Sequence, residues 1–264
     1  MSKIIKRHYY IDFLRGMAFF LMVIYHLIYN ISEIFYGYWA RYFSDSHYLN
    51  KIAQVLRYVN GVDLTKYLRL IFIACVFLFI SGISSIFSKN IFKRGLKLLA
   101  IALGLSLVTY ILSISFQLKY IIIYFGILHC ISICMLLTPL FKKTNKYVLF
   151  VLAVFIIIVG FYFDHNPQNR IYVDTWILTP LYITRSGFFS ADYYPLLPYM
   201  GLYILGFIFG NWYFNIKNHP KTTKNYKVNI FTYFGKNTLI WYFIHQLILI
   251  VFLIILTLIN FIFI

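Results

Sequence analysis

Residues 11–26 read IDFLRGMAFFLMVIYH and pose the problem that the fold has to solve. The apolar stretch runs on to about Phe35, which is long enough to cross a hydrocarbon core of about 30 Å. It nevertheless carries Asp12, Arg15 and His26. An ionisable group at the centre of a membrane span costs about 2.5–3.5 kcal/mol even on the lenient insertion scale. We therefore expect these three side chains to be paired, buried between helices or used in chemistry.

The composition extends this membrane interpretation to the whole chain. Of 264 residues, 62% are hydrophobic and 12% are charged, with a mean hydropathy of +0.79, which excludes an ordinary soluble domain. We predict an all-α fold, a polytopic transmembrane helix bundle that forms a single integral-membrane domain over residues 1–264. The seven predicted spans cover about 11–35, 67–88, 92–114, 120–140, 147–163, 195–214 and 237–260.

The basic residues predict the orientation of the chain. If the N-terminus is cytoplasmic, 15 of the 24 Lys and Arg residues fall on the inside and eight on the outside. The positive-inside rule then favours an N-in, C-out multi-pass protein of the cell membrane, with long loops at about 36–66 and 164–194 facing outward. The net charge of +17 is scattered between spans, so we expect no nucleic-acid partner.

The polar residues of the first span lie close to one stripe. Their spacings of three, four and seven residues place them on one helical face, which comprises Asp12, Arg15, Phe19, Met22, His26 and Glu33. Arg15 and His26 are separated by roughly 16 Å along the axis, so the arginine lies near the cytoplasmic surface and the histidine past the bilayer middle. Two alternatives need no function: an ion pair between Asp12 and Arg15, and a neutral His26 hydrogen-bonded between helices.

His26 has two counterparts in other spans. His129 in YFGILHCIS and His245 in LIWYFIHQLI lie at broadly similar predicted depth. Convergence of the three would suit a proton-handling site, because imidazole titrates near neutral pH, although a coincidence of depth stays open. Asp192 is predicted at the outer mouth of the bundle, with a helix-start role as its alternative.

Other small and polar residues are predicted to serve packing. Gly201, Gly206 and Gly210 in the sixth span and the segment FISGISS in the second favour close helix approach. Cys75, Cys130 and Cys134 lie inside apolar runs without the spacing of metal ligands, so we expect core cysteines and no metal.

Six segments in order resemble the catalytic domain of the heparan-alpha-glucosaminide N-acetyltransferase family. They are IDFLRGMAFFLMVIYH, FLFISGISSIFSK, RGLKLL, FGILHCISI, DYYPLLPYMGLYILGFIFG and FGKNTLIWYFIHQ, and together they extend from about Tyr10 to Gln246. The match looks closest to compact bacterial members. The spacing of Arg15 and His26 also resembles the first-helix signature of the wider membrane acyltransferase superfamily.

The resemblance implies transmembrane acetyl transfer from cytoplasmic acetyl-CoA to a sugar or glycan acceptor on the far side. Carried over by position, His26 would be the catalytic base, Arg15 beside Asp12 would meet the donor phosphates, and Asp192 would line the acceptor side. The developing oxyanion needs a hydrogen-bond donor, for which His129 and His245 are candidates.

Two other classes of protein compete with this enzyme hypothesis. One is a transporter or lipid-handling protein whose intramembrane Arg and His residues form a proton or substrate path. The other is a non-catalytic scaffold whose buried polar groups fix helix register. The expected partners are the bilayer, acetyl-CoA and a glycan acceptor. The acceptor's identity, the acyl chain length and the formation of a homo-oligomer stay open.

Overall fold

The computed structural model describes residues 8–62, 75–117, 121–165, 172–173, 177–216 and 229–262. Residues 67–74 of the second predicted span, and the basic residues of 1–7 and 217–228, lie outside this part. A π-helical segment, Asn30–Phe35, joins the first two α-helices. The α-helices are α1 Tyr9–Tyr29, α2 Tyr36–Tyr42, α3 Tyr48–Gly61, α4 Val76–Ser85, α5 Ile91–Phe116, α6 Ile127–Phe141, α7 Lys146–His165, α8 Leu196–Ile216, α9 Ile230–Lys236 and α10 Thr238–Ile262.

The helices identify a polytopic membrane protein. Four described helical stretches are long and apolar enough to cross a membrane, namely Tyr9–Tyr42, Ile91–Ser115, Lys146–Asp164 and Thr238–Ile262. Helices α4 and α6 are shorter and apolar. In α7, large apolar side chains are exposed at intervals of three and four residues, at Val148, Val151, Phe155, Ile158 and Tyr162. An apolar stripe exposed along a helix of this length is typical of a lipid-facing surface.

The described residues form two compact units, one from Met1–Val76 with Thr222–Ile264 and the other from Phe77–Lys221. In the first unit, α1 packs against α9 so closely that a Cβ on Gly16 would overlap the carbonyl oxygen of Phe231. A Cβ on Gly235 would likewise overlap the carbonyl oxygen of Asp12. The two glycines therefore permit backbone contact between α1 and α9.

Helix α10 runs parallel to α1 in the same unit. His245, Gln246 and Thr257 of α10 hydrogen-bond, in that order, to His26, Asn30 and Trp39, which follow one another along α1 and its continuation. Because the residue numbers of the partners increase together along both helices, the two helices must run in the same direction. This register determines which polar residues of the two helices meet.

The segment at 36–66, predicted as a loop, is mostly helical where it is described, with α2 and α3 joined by a turn at residues 43–47. Helix α3 buries Leu49 and Ala53 against a core that includes Trp39 and Leu253. Asn50 fixes the preceding turn by donating to the carbonyl oxygens of Phe43 and Ser44, at 2.8 and 2.9 Å. The spacing of Leu49, Ala53 and Leu56 is typical of a helix, although the segment is too short and too polar to be predicted as a membrane span.

The glycines of the second unit confirm the packing predictions. A Cβ on Gly206 of α8 would overlap the backbone of Phe79 in α4, and one on Gly82 of α4 would overlap the backbone of Tyr203. A Cβ on Gly201 would lie 2.6 Å from the carbonyl oxygen of Ala153 in α7. Close backbone approach thus joins α8 to two neighbours without any large side chain between them.

The fourth predicted span begins later than expected. Helix α6 starts at Ile127, and residues 121–126 are not α-helical but pair through their backbone with residues 191–194. The N–H of Ala191 donates to the carbonyl of Ile122 at 2.8 Å, and that of Tyr194 to the carbonyl of Phe125 at 3.1 Å. This pairing sets the position of Asp192 beside the first turn of α6.

Candidate active site in the membrane helices

Two of the predicted histidines meet between parallel helices of the first unit. Nδ1 of His26 on α1 lies 3.0 Å from Nε2 of His245 on α10. His245 is 6% exposed and His26 is half-buried. The pair is therefore a shared polar element inside otherwise apolar helices, where ionisable groups are costly and usually functional.

The hydrogen bonds determine where the protons of a neutral pair reside. Nδ1 of His245 lies 3.1 Å from the carbonyl oxygen of Trp241, which can only accept, so Nδ1 of His245 carries a proton. Nε2 of a neutral His245 is then an acceptor, and Nδ1 of His26 donates to it. This leaves the lone pair of His26 on Nε2, the nitrogen that can act as a base.

Aromatic rings surround the histidine pair. The Phe19 and His245 rings meet edge to face, with centroids 5.8 Å apart. Tyr242 lies 5.9 Å from the His245 ring, and Tyr25 lies 5.8 Å from the His26 ring. An apolar surrounding limits water and strengthens hydrogen bonds and charges within it. Such surroundings suit chemistry on a water-sensitive thioester.

A second polar pair lies next to the histidines, one helical turn beyond His26 on α1 and one residue beyond His245 on α10. Nε2 of Gln246 donates to Oδ1 of Asn30 at 3.0 Å. Asn30 is fully buried, and within the described ranges neither its Nδ2 nor the buried Oε1 of Gln246 has a hydrogen-bond partner. Leaving such an atom unsatisfied costs about 1–3 kcal/mol. This pair was not predicted from the sequence. The available signal was the position of Asn30, four residues after His26 on the same helical face, and of Gln246, directly after His245.

Asp12 and Arg15 form the ion pair that their spacing predicted. Nη1 of Arg15 lies 3.7 Å from Oδ1 of Asp12, and the side chains are 28% and 5% exposed. Asp12 is thus buried where its backbone meets Gly235 of α9, while the Arg15 side chain is partly exposed. The partly exposed guanidinium has further N–H donors, which can contact an anionic ligand while the ion pair with Asp12 is kept.

His129 lies in the second unit, where its two ring nitrogens serve the start of α6. The backbone N–H of Gly126 donates to Nδ1 of His129 at 3.2 Å, so the proton of a neutral ring is on Nε2, 3.2 Å from Oγ of Ser106. Oδ2 of Asp192 accepts from the N–H of Ile127 at 3.0 Å. Asp192 therefore meets the helix-start alternative, at α6 instead of the expected α8.

The cysteines are free thiols within apolar helices. Cys130 and Cys134 are buried and Cys75 is half-buried. Across the described ranges, no group of three or more His, Cys, Asp or Glu side chains could hold a metal ion.

The fold and the site define a polytopic helical membrane protein with a hydrogen-bonded histidine pair inside its helices. The sequence model for "Heparan-alpha-glucosaminide N-acetyltransferase, catalytic" matches residues 7–247. The chain therefore belongs to this family, which confirms the resemblance of the six segments. Membership implies a membrane N-acetyltransferase, and the family uses acetyl-CoA. No match was found among curated proteins or among solved structures.

Proposed function

We propose that this protein transfers an acetyl group from cytoplasmic acetyl-CoA to an amine or hydroxyl of an extracytoplasmic sugar or glycan, with His26 as the catalytic base. The hydrogen bond between His26 and His245 carries the proposal, because it leaves the basic lone pair on a defined nitrogen. Family membership supports the donor and the reaction class.

The reaction requires one proton to move twice. The acceptor nitrogen or oxygen attacks the thioester carbonyl and forms the new bond to carbon, while its proton passes to Nε2 of His26. The tetrahedral intermediate then collapses, the carbon–sulfur bond breaks, and the CoA thiolate takes the proton from His26. Atoms and charge balance without a metal or redox partner, and general base catalysis of this kind contributes about 10²–10⁴-fold.

His245 acts in this proposal as the positioning partner of the base. Its Nε2 accepts from Nδ1 of His26, so this hydrogen bond strengthens as His26 gains positive charge. A neutral His245 has no N–H left for an oxyanion, since Nδ1 donates to Trp241. The arrangement therefore favours His245 as an orienting group over the alternative oxyanion role, in the manner of the third member of a catalytic triad.

Arg15 and Asp12 are proposed to hold the donor. The guanidinium is the more exposed member of the pair, and Arg recognises phosphate by paired N–H donors. Asp12 keeps the arginine near α9 and limits its rotamers. The location of Arg15, about three helical turns before His26, suits the phosphate end of an elongated donor whose thioester lies deeper in the membrane.

Asp192 and His129 are proposed to shape the start of α6. The contacts of Asp192 with Ile127 and of His129 with Gly126 and Ser106 support a positioning role. The assignment of Asp192 to the acceptor side stays a prediction of the family resemblance.

We further propose one membrane domain of seven spans in the cell membrane, with the N-terminus inside and the C-terminus outside. The parallel arrangement of α1 and α10 supports an odd number of crossings, because two spans with the same direction begin on the same side. Helices α4, α6 and α8 would supply the spans beyond the four long ones. Alkaline phosphatase fused after residue 264 should be active outside the cytoplasm, and activity of only a cytoplasmic reporter there would contradict this topology.

The enzymatic proposal is tested with the purified full-length protein in detergent. We expect release of free CoA from acetyl-CoA, measured with a thiol reagent, to rise when glucosamine is added. The product should be N-acetylglucosamine by mass spectrometry. A protein that neither binds nor consumes acetyl-CoA would exclude the enzyme, and proton-coupled solute uptake into proteoliposomes would then favour the transporter alternative.

A further inference from the structure

We propose that Asn30 and Gln246 form the acceptor-recognition subsite and select an acceptor with a hydroxyl next to its reacting group, as in a vicinal amino alcohol or a sugar. This inference rests on the proposed function and deepens it, because it names the residues that recognise the hydroxyl next to the reacting group of the acceptor. It is carried by two facing side chains, Asn30 and Gln246, each of which has a buried atom without a hydrogen-bond partner in the described part of the chain.

The chemistry of the open positions defines the ligand. Among the residues that the structure describes, one donor nitrogen and one acceptor oxygen of the Asn30–Gln246 pair have no partner: Nδ2 of Asn30, which carries two N–H groups, and Oε1 of Gln246. Exchanging the nitrogen and oxygen of both amides preserves their mutual hydrogen bond and again leaves one donor and one acceptor open. A hydroxyl group can satisfy both at once, since it accepts one hydrogen bond and donates another.

The position of the pair relates this hydroxyl to the reacting group. Asn30 follows His26 by four residues on the same helical face, and Gln246 is the neighbour of His245. Both pairs bridge α1 and α10, so the amides lie directly beyond the proposed base. An acceptor whose amine or hydroxyl meets His26 would therefore present the adjacent hydroxyl of its ring to Asn30 and Gln246.

The local backbone is also unusual at this point. The regular α-helix ends at Tyr29, and Asn30 begins the π-helical segment that continues to Phe35. A π-helical turn changes the direction of the side chains that follow it, and such turns are frequent at functional sites. Retention of a fully buried amide with an open donor at this turn agrees with a binding role better than with packing alone.

The test compares 2-aminocyclohexanol with cyclohexylamine as acceptors for the full-length protein and acetyl-CoA. The two amines differ by the adjacent hydroxyl alone. We expect the wild type to prefer the amino alcohol by about tenfold in kcat/KM, since the hydroxyl completes the buried pair. The double variant Asn30→Leu/Gln246→Met should lose this preference while its KM for acetyl-CoA stays unchanged.

Thermal stability separates recognition from a structural role. Replacing both amides by apolar groups of similar shape removes the unsatisfied atoms, so the Tm of the double variant should equal or exceed that of the wild type. Asn50→Leu is the matched control. Its amide nitrogen makes two hydrogen bonds, so this variant should have a lower Tm and an unchanged preference for the amino alcohol.

Each outcome decides a different claim. Equal use of the two amines by the wild type, or an unchanged preference in the double variant, overturns the inference and leaves the acetyltransferase proposal intact. If the wild type consumes no acetyl-CoA, the proposed function fails. The inference is then judged by whether 2-aminocyclohexanol raises the Tm of the wild type more than cyclohexylamine does, and equal shifts overturn it.

Discussion

His245 in the first unit and His129 in the second are both buried histidines on apolar helices, with 6% and 3% exposed surface. Each has a hydrogen bond at both ring nitrogens. The partners of His129 are a backbone N–H at the start of its own helix and the Ser106 hydroxyl. Those of His245 are a carbonyl of its own helix and a second histidine, His26, the proposed base. Burial is thus common to both histidines, and their hydrogen-bond partners distinguish them. His245 is paired with the proposed catalytic base, whereas His129 stabilises the start of its own helix.

The largest expected effect is that of His26→Ala on acetyl transfer. Loss of the proposed base should lower kcat at least about 100-fold, with the KM for acetyl-CoA and the Tm near wild-type values. Thiol release from acetyl-CoA in the presence of glucosamine measures the rate. Full turnover in His26→Ala would remove His26 from the mechanism, and His129→Ala serves as the matched control.

The next largest effect is expected for His245→Leu. This change removes the acceptor for Nδ1 of His26 and should lower kcat by about 10- to 100-fold, as loss of a charge-assisted hydrogen bond does. His245→Gln should recover part of the rate, because an amide oxygen can accept the same hydrogen bond. Equal rates for the Leu and Gln variants would indicate that the hydrogen bond does not matter.

Arg15 should affect donor binding more than chemistry. Arg15→Gln is expected to raise the KM for acetyl-CoA by roughly three- to tenfold and leave kcat within about twofold, because a phosphate contact has been lost. Arg15→Lys keeps the positive charge beside Asp12, so its KM for acetyl-CoA should lie between those of the wild type and of Arg15→Gln. An unchanged KM in both variants would place the donor elsewhere.

The smallest effect on kcat/KM is expected for His129→Ala. This variant leaves the N–H of Gly126 without its side-chain acceptor, which costs about 1–3 kcal/mol of stability, while kcat should stay within about threefold of wild type. Circular dichroism melts and the thiol assay measure the two quantities. A loss of turnover as large as in His26→Ala at an unchanged Tm would reverse the comparison between the two units.

The polar stripe of the first helix could be predicted from the sequence because it depends only on residue spacing within one helix. Spacing along one helix places Asp12, Arg15 and His26 correctly relative to one another, and the ion pair follows from the interval of three residues. Membrane spans are similarly predictable, since their length and apolarity are properties of single segments. Family resemblance was equally accessible, because its motifs are contiguous.

Contacts between distant segments could not be predicted in the same way. No spacing within α1 indicates that His26 meets His245, which is 219 residues away, or that Asp192 reaches the first turn of α6. Those contacts depend on helix register and on glycine-mediated approach, as at Gly16 and Gly235. The open amides at Asn30 and Gln246 likewise emerge only when the two helices are brought together.

The most direct test is a double-mutant cycle on the rate of acetyl transfer with His26→Ala, His245→Leu and their combination. If the two histidines act as one unit, the double variant should be no slower than His26→Ala alone, because the partner has lost the base that it orients. A parallel cycle with His129→Ala should give independent effects. The account is contradicted if adding His245→Leu to His26→Ala lowers the rate by the full factor that it causes in the wild type.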